Sequence, residues 1–479
     1  MTPFGPFRPD VFDLNSAVAG EARGVLPGAT AYRPWPSLAV YSEAIGAEVL
    51  SGFLARARDG ALRIYAGTAT GLFLYTGPTT PWTDVSGDTY AVPPGERWGF
   101  EQYGDTLIAV NANTDPQKLD ISASTPAEDL GGSPPRARYV KTVGDQVWLG
   151  GLLMEPDKVI WSGRDNPEFW TLGQQDCDQQ VFPDGGFVRG LTALEAGLVF
   201  QDTAIRRFVP VDSRAIYTFA RVEDARGLVA PDSLTVRGRV AYYLSQEGFM
   251  ATDGTGASLP IGFENVDVWF QKRISPDESF SIQGAADPLR PRVYWLYETA
   301  AGPNEILVYD IALKAWAYAQ VPATFIMGAA TPGLTLEGLD SLGYTLDTLP
   351  FSLDSRQFMG GAPLLAAFSR DANQLNFFTG ANMAARLETA ELQPVPGQRS
   401  FVRGVAPLTE APGVTVQIGT RENLQSTRVW STASSINAQG NCPTRASGRF
   451  VRARVSVPAG GNWQNIQGVD IDAVQDGKR

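Results

Sequence analysis

The run Leu62-Arg63-Ile64-Tyr65-Ala66-Gly67, a short turn, Gly71-Leu72-Phe73-Leu74-Tyr75 and then Trp82 reads as two apolar strands followed by an aromatic. The same unit returns along the chain. Leu107–Val110 turns through Asn113-Thr114-Asp115 into Gln117–Asp120, and Val147–Gly150 leads to Val159–Trp161 and Phe169-Trp170. Gly197–Phe200 leads to Ile205–Phe208 and Tyr217–Phe219, Val240–Leu244 to Gly248–Ala251, and Arg292–Tyr297 to Ile306–Asp310 and Trp316. A strand–turn–strand unit recurring at roughly 40 to 50 residues is the signature of β-propeller blades. One such sheet cannot bury both of its faces alone, so the blades must stack around an axis.

Before the first unit, residues 1–45 are punctuated by Pro3, Pro6, Pro9, Pro27, Pro34 and Pro36. Each proline lacks a ladder donor, so this stretch reads as an irregular arm or closing segment rather than an inner strand. Residues 46–394 read as the propeller. From about Val395 the pattern changes to alternating strands, as in Val414–Ile418 and Phe450–Val457. In Phe450–Val457 the alternation sets Arg452 and Arg454 opposite Val451, Ala453 and Val455, which predicts a one-sided strand and a small C-terminal β-sandwich over 395–479. The predicted fold is therefore all-β: a β-propeller of about six to eight blades followed by a β-sandwich.

Two segments interrupt the repeats. Asn265–Ile274 (NVDVWFQKRI) has a near-helical apolar spacing and predicts a short helix between blades. Residues 332–361 alternate leucines with acids and turn residues. Glu337, Asp340, Asp347 and Asp354 have no D-x-D-x-D-G run, so calcium is a weak reading. A long insertion with its own apolar residues predicts a docking loop carried by Leu336, Leu339, Leu342, Leu346, Leu349, Phe351 and Leu353.

Composition excludes much chemistry. The 479 residues contain no histidine and two cysteines, Cys177 and Cys442. Ser–His and Cys–His nucleophiles, imidazole acid–base catalysis and thiolate zinc sites are thereby ruled out. No window approaches the ~18 apolar residues of a membrane helix, and Met1–Asp10 lacks the basic and apolar regions of a signal peptide. No membrane anchor is expected, and the chain reads as cytoplasmic at synthesis. The net charge of −12 argues against a basic nucleic-acid surface. It is unevenly spread: residues 395–479 carry +5 and the rest −17. That split predicts two surfaces with different partners, and Arg449, Arg452 and Arg454 form a candidate basic interface. Glycosidase-type propellers need clustered carboxylates, and sialidases an S-x-D-x-G-x-x-W box, which is absent here. Pairs such as Glu223/Asp224 sit in turn-like stretches where solvated loop carboxylates are the commoner case. The eleven tryptophans recur at equivalent places in the repeats, where packing is a better account than sugar stacking.

Three segments together resemble the tail-hub, or nozzle, proteins of short-tailed bacteriophages, also described as packaged-DNA stabilisation proteins. Gly24-Val25-Leu26-Pro27-Gly28-Ala29-Thr30 is similar to the family's opening segment. Gly190–Leu194 with Leu198–Phe208 is similar to its central blade, continued by Gly227–Ala230, Tyr242–Met250 and Ile261–Ile274. The terminal all-β segment ending near Ala473 follows the same plan, whereas the insertion 332–361 is not part of it. The resemblance implies a structural virion protein rather than an enzyme, with no cofactor. It implies a homo-oligomeric ring of about six copies, closed as heterologous contacts require, below the portal and its adaptor. Such a ring extends the channel for double-stranded DNA, helps retain the genome and seats tail spikes, fibres or a needle. It belongs to the virion tail, assembled in the host cytoplasm. The competing expectation is a propeller that binds or cleaves glycans.

Overall fold

In a computed structural model, the described residues are all except 15, 78–79, 194–196, 212–215, 275–280, 301, 331–362 and 477–479. Among them the strands pair into seven four-stranded antiparallel blades. Blade one is Val49–Arg56, Leu62–Thr68, Leu72–Leu74 and Thr83–Asp84; blade two is Gly99–Tyr103, Thr106–Asn111, Thr114–Asp120 and Glu128–Asp129. Blade three is Ala137–Val143, Gln146–Leu152, Lys158–Trp161 and Asp178–Val181; blade four is Val188–Thr192, Gly197–Gln201, Ile205–Pro210 and Tyr217–Glu223. Blade five is Thr235–Arg237, Val240–Ser245, Gly248–Thr252 and Leu259–Pro260; blade six is Gln283–Ala286, Arg292–Thr299, Gly302–Asp310 and Ala315–Gln320. Blade seven joins Ala323–Ala330, Pro363–Ser369 and Leu375–Phe377 to Ala39–Val40 from the N-terminal arm, through Asn376↔Val40 and Phe377↔Ala39.

The second and third strands of the blades hold most of the buried apolar residues. Gln146–Leu152 is buried along its whole length. The aromatics of the repeat fill the wedges between blades. Trp148 stacks on Trp161 at 4.7 Å and on Phe208 of the next blade at 4.2 Å, and neither tryptophan is exposed. Such offset pairs add to area burial, so these tryptophans act as packing.

The arm is built of short strands, and its strand prolines, Pro3 and Pro34, lie at sheet edges, where proline is tolerated. Thr2–Pro3 pairs with Ile466–Gln475, and Val25–Leu26 pairs with Arg33–Pro34. Glu21–Arg23 runs parallel to Ala315–Gln320 of blade six and antiparallel to Ala385–Glu388. That bridging strand turns blade six into one ten-stranded sheet, continuing through Ala385–Glu388, Phe450–Val457, Thr415–Arg421 and Val429–Trp430. Gly24, at φ 68°, ends the bridging strand; its N–H bonds Tyr318 O at 2.8 Å, and a Cβ there would lie 2.1 Å from Ala384 O. Only glycine fits that crossing.

A second sheet, in the order Thr2–Pro3, Ile466–Gln475, Ser400–Thr409, Cys442–Gly448, packs on the far part of the first. Val402, Val405, Ile466 and Val469 meet Val416, Ile418, Val451 and Val455 in one core that is continuous with that of blade six. The change of domain falls earlier than the sequence reading placed it. The propeller's last strand ends at Phe377, and Ala385–Glu388 already pairs with Phe450–Val457. Four alternating residues carry too little periodicity to be assigned to either domain from sequence.

The helix expected over Asn265–Ile274 is present as Asp267–Gln271. Its cap comes from the arm: Asp10 accepts the N–H groups of Val268 at 2.8 Å and Trp269 at 2.7 Å. Asp267 faces inward and accepts Phe249 N–H at 3.1 Å, while its other oxygen has no partner among the described residues. Burial, reinforced by nearby Asp10 and opposed by the Phe249 bond, pushes its carboxyl up to about 6. A folded-state value above the unfolded one means that the stabilising contribution is complete below about pH 4. It is lost as pH rises through about 6. Asp267→Asn should therefore raise the melting temperature at pH 8 and leave it unchanged near pH 4. Equal shifts at both pH values would show that the carboxyl is solvated.

Candidate functional site at the propeller axis

The innermost strands of the seven blades converge on a cavity of 630 Å³, and every blade contributes to its wall. These strands carry less apolar sequence than their neighbours because one face meets the cavity: Gly99–Tyr103 reads GFEQY and Val188–Thr192 reads VRGLT. The charged residues lie at or just before the inner strands, so that successive blades set them around one rim.

Each cation of this rim is held by an acid. Arg97 lies 3.1 Å from Asp232, donates to Leu50 O and rests 5.6 Å over the Phe325 ring. Arg138 donates twice to one oxygen of Glu96, at 3.0 and 3.1 Å. Lys141 reaches Glu101 at 2.6 Å, and Arg189 reaches Asp202 at 2.5 Å. Burial, with help from Glu96, pushes the Asp232 carboxyl above its ordinary value, against the pull of Arg97. Burial likewise raises the Tyr139 phenol. The rim is a set of closed pairs, with aromatic rings of Phe53, Trp98, Phe100 and Phe325 between them.

Size decides what this cavity can admit. At 630 Å³ it falls in the class of small-molecule pockets, about 300–1,000 Å³. Among the described residues no group of three or more Cys, Asp or Glu side chains is placed to hold a metal ion. Cys177 and Cys442 are free and buried, and burial, with Asp178 nearby, raises the Cys177 thiol to about 11. No helix among the described residues is long and apolar enough to cross a membrane.

The three arginines of the candidate basic interface separate in the structure. Arg449 is exposed and donates to Gly397 O at 3.0 Å. Arg452 is largely buried between Asp13 of the arm and Glu388. Arg454 donates to Glu388 at 2.7 Å and stacks 3.7 Å over Trp430. Strand register puts Glu388 opposite Arg454, so two of the three arginines tie the bridging sheet together internally. The network continues to Glu21, which accepts from Tyr318 at 3.3 Å and lies within 4 Å of Arg23 and Arg386. Burial first, and then Glu388, raise the Glu21 carboxyl, while Arg386, Arg23 and Arg454 oppose them. The docking-loop residues Leu336, Leu339, Leu342, Leu346, Leu349, Phe351 and Leu353 lie outside the described residues.

The axial residues were missed in sequence. The signal that would have found them is the return of a charged residue beside the inner strands of blades two to five, at Arg97, Arg138, Arg189 and Asp232.

No family model and no curated protein matches the chain. Solved structures that resemble it include a chain of an S. cerevisiae complex of Dbp5 with Nup159, Gle1, IP6 and ADP. It has 9% identity and a TM-score of 0.39, over 76% of this chain and 98% of that one. A chain of a mitotic checkpoint complex has 9% identity and a TM-score of 0.39, over 74% and 95%. The assignment as a β-propeller rests on the strand pairing itself.

Proposed function

We propose that this protein is a structural component of a short-tailed phage tail. Several copies form a ring-shaped nozzle below portal and adaptor, continue the DNA channel and help to retain the packaged genome. The observation that carries the reading, beside the resemblance in sequence, is the ten-stranded sheet that joins blade six to the sandwich through Glu21–Arg23. Two domains that share one ladder, one core and one ionic network move as one body. A wall that must hold its shape against packed genome needs such a body. The axial rim, closed by its own ion pairs, fits a wall better than a path. The acidic remainder and the +5 terminal segment supply unlike surfaces, one suited to a lumen that does not grip phosphate and one to adaptor, spike, fibre or needle proteins.

Micrographs of the virion tail, with light scattering on the purified chain, test this directly. Rings of about six copies are expected, since heterologous contacts either close or run on into filaments. A single copy per particle, or a glycan affinity without any ring, would sink the reading.

A further inference from the structure

The four-stranded sheet of the sandwich has two open edges of opposite charge. At one end, Cys442–Gly448 has a ladder neighbour on one side only. At the other, Thr2–Pro3 covers Ile466–Gln475 at Gly468 and Val469 alone, which leaves Ile471–Gln475 uncovered. The second edge is acidic: Asp470, 66% exposed, pairs with the Met1 amine at 3.1 Å, and Asp472 is 53% exposed. The first is basic. Arg445 is exposed and has no hydrogen bond or ion pair among the described residues. Arg403, on the strand between, donates to Asp472 at 2.7 Å.

A groove of 700 Å³ runs beside the basic edge, lined by Phe401, Arg403, Ser431, Thr432, Thr444 and Arg445. Thr444 is only 5% exposed, and its buried hydroxyl has no partner among the described residues. Natural sheets blunt their edges with proline, inward charge or a covering segment. Here Pro443 removes one donor and Gly448 lies against Thr420 and Arg421, while the middle of the strand, beside the free guanidinium of Arg445, has no ladder partner on that side. An edge of this kind is a template for an added strand.

We propose that the Cys442–Gly448 edge of one copy accepts the Ile471–Gln475 edge of a second copy. The sheet then runs on from copy to copy, with Arg445 facing Asp472 and Asp470 of the neighbour. The two edges differ, so the contact is head-to-tail and leaves a free edge of each kind, as a ring requires. This inference rests on the ring reading above and supplies its contact.

Sedimentation of the full chain over a range of concentration and salt tests it with Arg445→Glu, Asp472→Arg and the double variant. Each single reversal is expected to weaken self-association about tenfold, and the double variant to restore it to within about threefold, as a swapped charge pair should. Asp472 also holds Arg403 and Asp470 the Met1 amine, so Asp470→Arg disturbs a different internal pair and is expected to weaken association in the same direction. Unchanged melting temperatures keep the reading on the contact. Additive losses in the double variant, singles that associate normally, or a wild-type chain that stays monomeric at high concentration would overturn the proposal. Rings in particles with the variants still incorporated would discard this contact and keep the ring. Edge-dependent association without rings in particles would keep the contact and discard the nozzle.

Discussion

A chain that starts at residue 46 is expected to yield no folded, soluble protein. The arm places Phe4, Phe7, Val25, Leu26, Tyr32 and Trp35 in the main core, each 5% exposed or less. Burial of each such side chain is worth about 1.5–3 kcal/mol, so losing all six, about 9–18 kcal/mol, is as large as the roughly 5–15 kcal/mol that holds an ordinary domain together. The loss is also topological. Without Ala39–Val40 blade seven lacks its outer strand, and without Glu21–Arg23 the ten-stranded sheet splits. A finer cut separates these causes. Phe7→Ala and Trp35→Ala keep the strands and should each cost about 3–5 kcal/mol in denaturant melts. A soluble, cooperatively melting product of the truncated gene would show that the propeller closes without the arm.

Glu391→Ala is expected to cost about 3–5 kcal/mol, as removal of one partner from a buried ionic group does. The Glu391 side chain is 1% exposed and accepts from Arg421 at 2.7 Å and from Arg428 at 3.1 Å. Burial alone would raise its carboxyl; the two guanidinium bonds outweigh burial and hold it below the ordinary range. The lowered value fixes the sign of the pH dependence. The contribution is present above the unfolded carboxylate range and is lost as acid protonates the folded group. Chemical melts at pH 7 and pH 4 should therefore differ less in the alanine variant than in the wild type. A loss under about 1 kcal/mol, the range of exposed pairs, would show that the arginines are solvated rather than held.

Six of the seven blades were legible because their second and third strands are adjacent in sequence and apolar, as in Leu62–Thr68 with Leu72–Leu74. Blade seven was not. Its strands come from residues 39–40, 323–330 and 363–377, and periodicity cannot join segments that far apart. Inner strands were illegible for the opposite reason: a face turned to the axial cavity tolerates Gly, Glu and Arg, which dilutes the alternation. Charge counting found the +5 segment but not its pairing. Arg452 meets Asp13 across 439 residues, and no local spacing announces such a contact. The axial ion pairs were hidden in the same way, since Arg97 and Asp232 belong to different blades.

Blade seven also governs the order of events during synthesis. Ser42 and Leu375 bond at 3.0 Å although 333 residues separate them. Loop entropy makes that distance inexpensive at equilibrium, since a tenfold longer loop costs only about 2 kcal/mol more. Kinetically it is severe. The arm leaves the ribosome ahead of the blades, and its partner in blade seven follows 333 residues later. Folding rates fall as contacts become less local, and unpaired edges invite aggregation while they wait. The half-made chain must therefore carry an arm with apolar side chains and six unclosed blades, and it can seal only once the last blade has been translated.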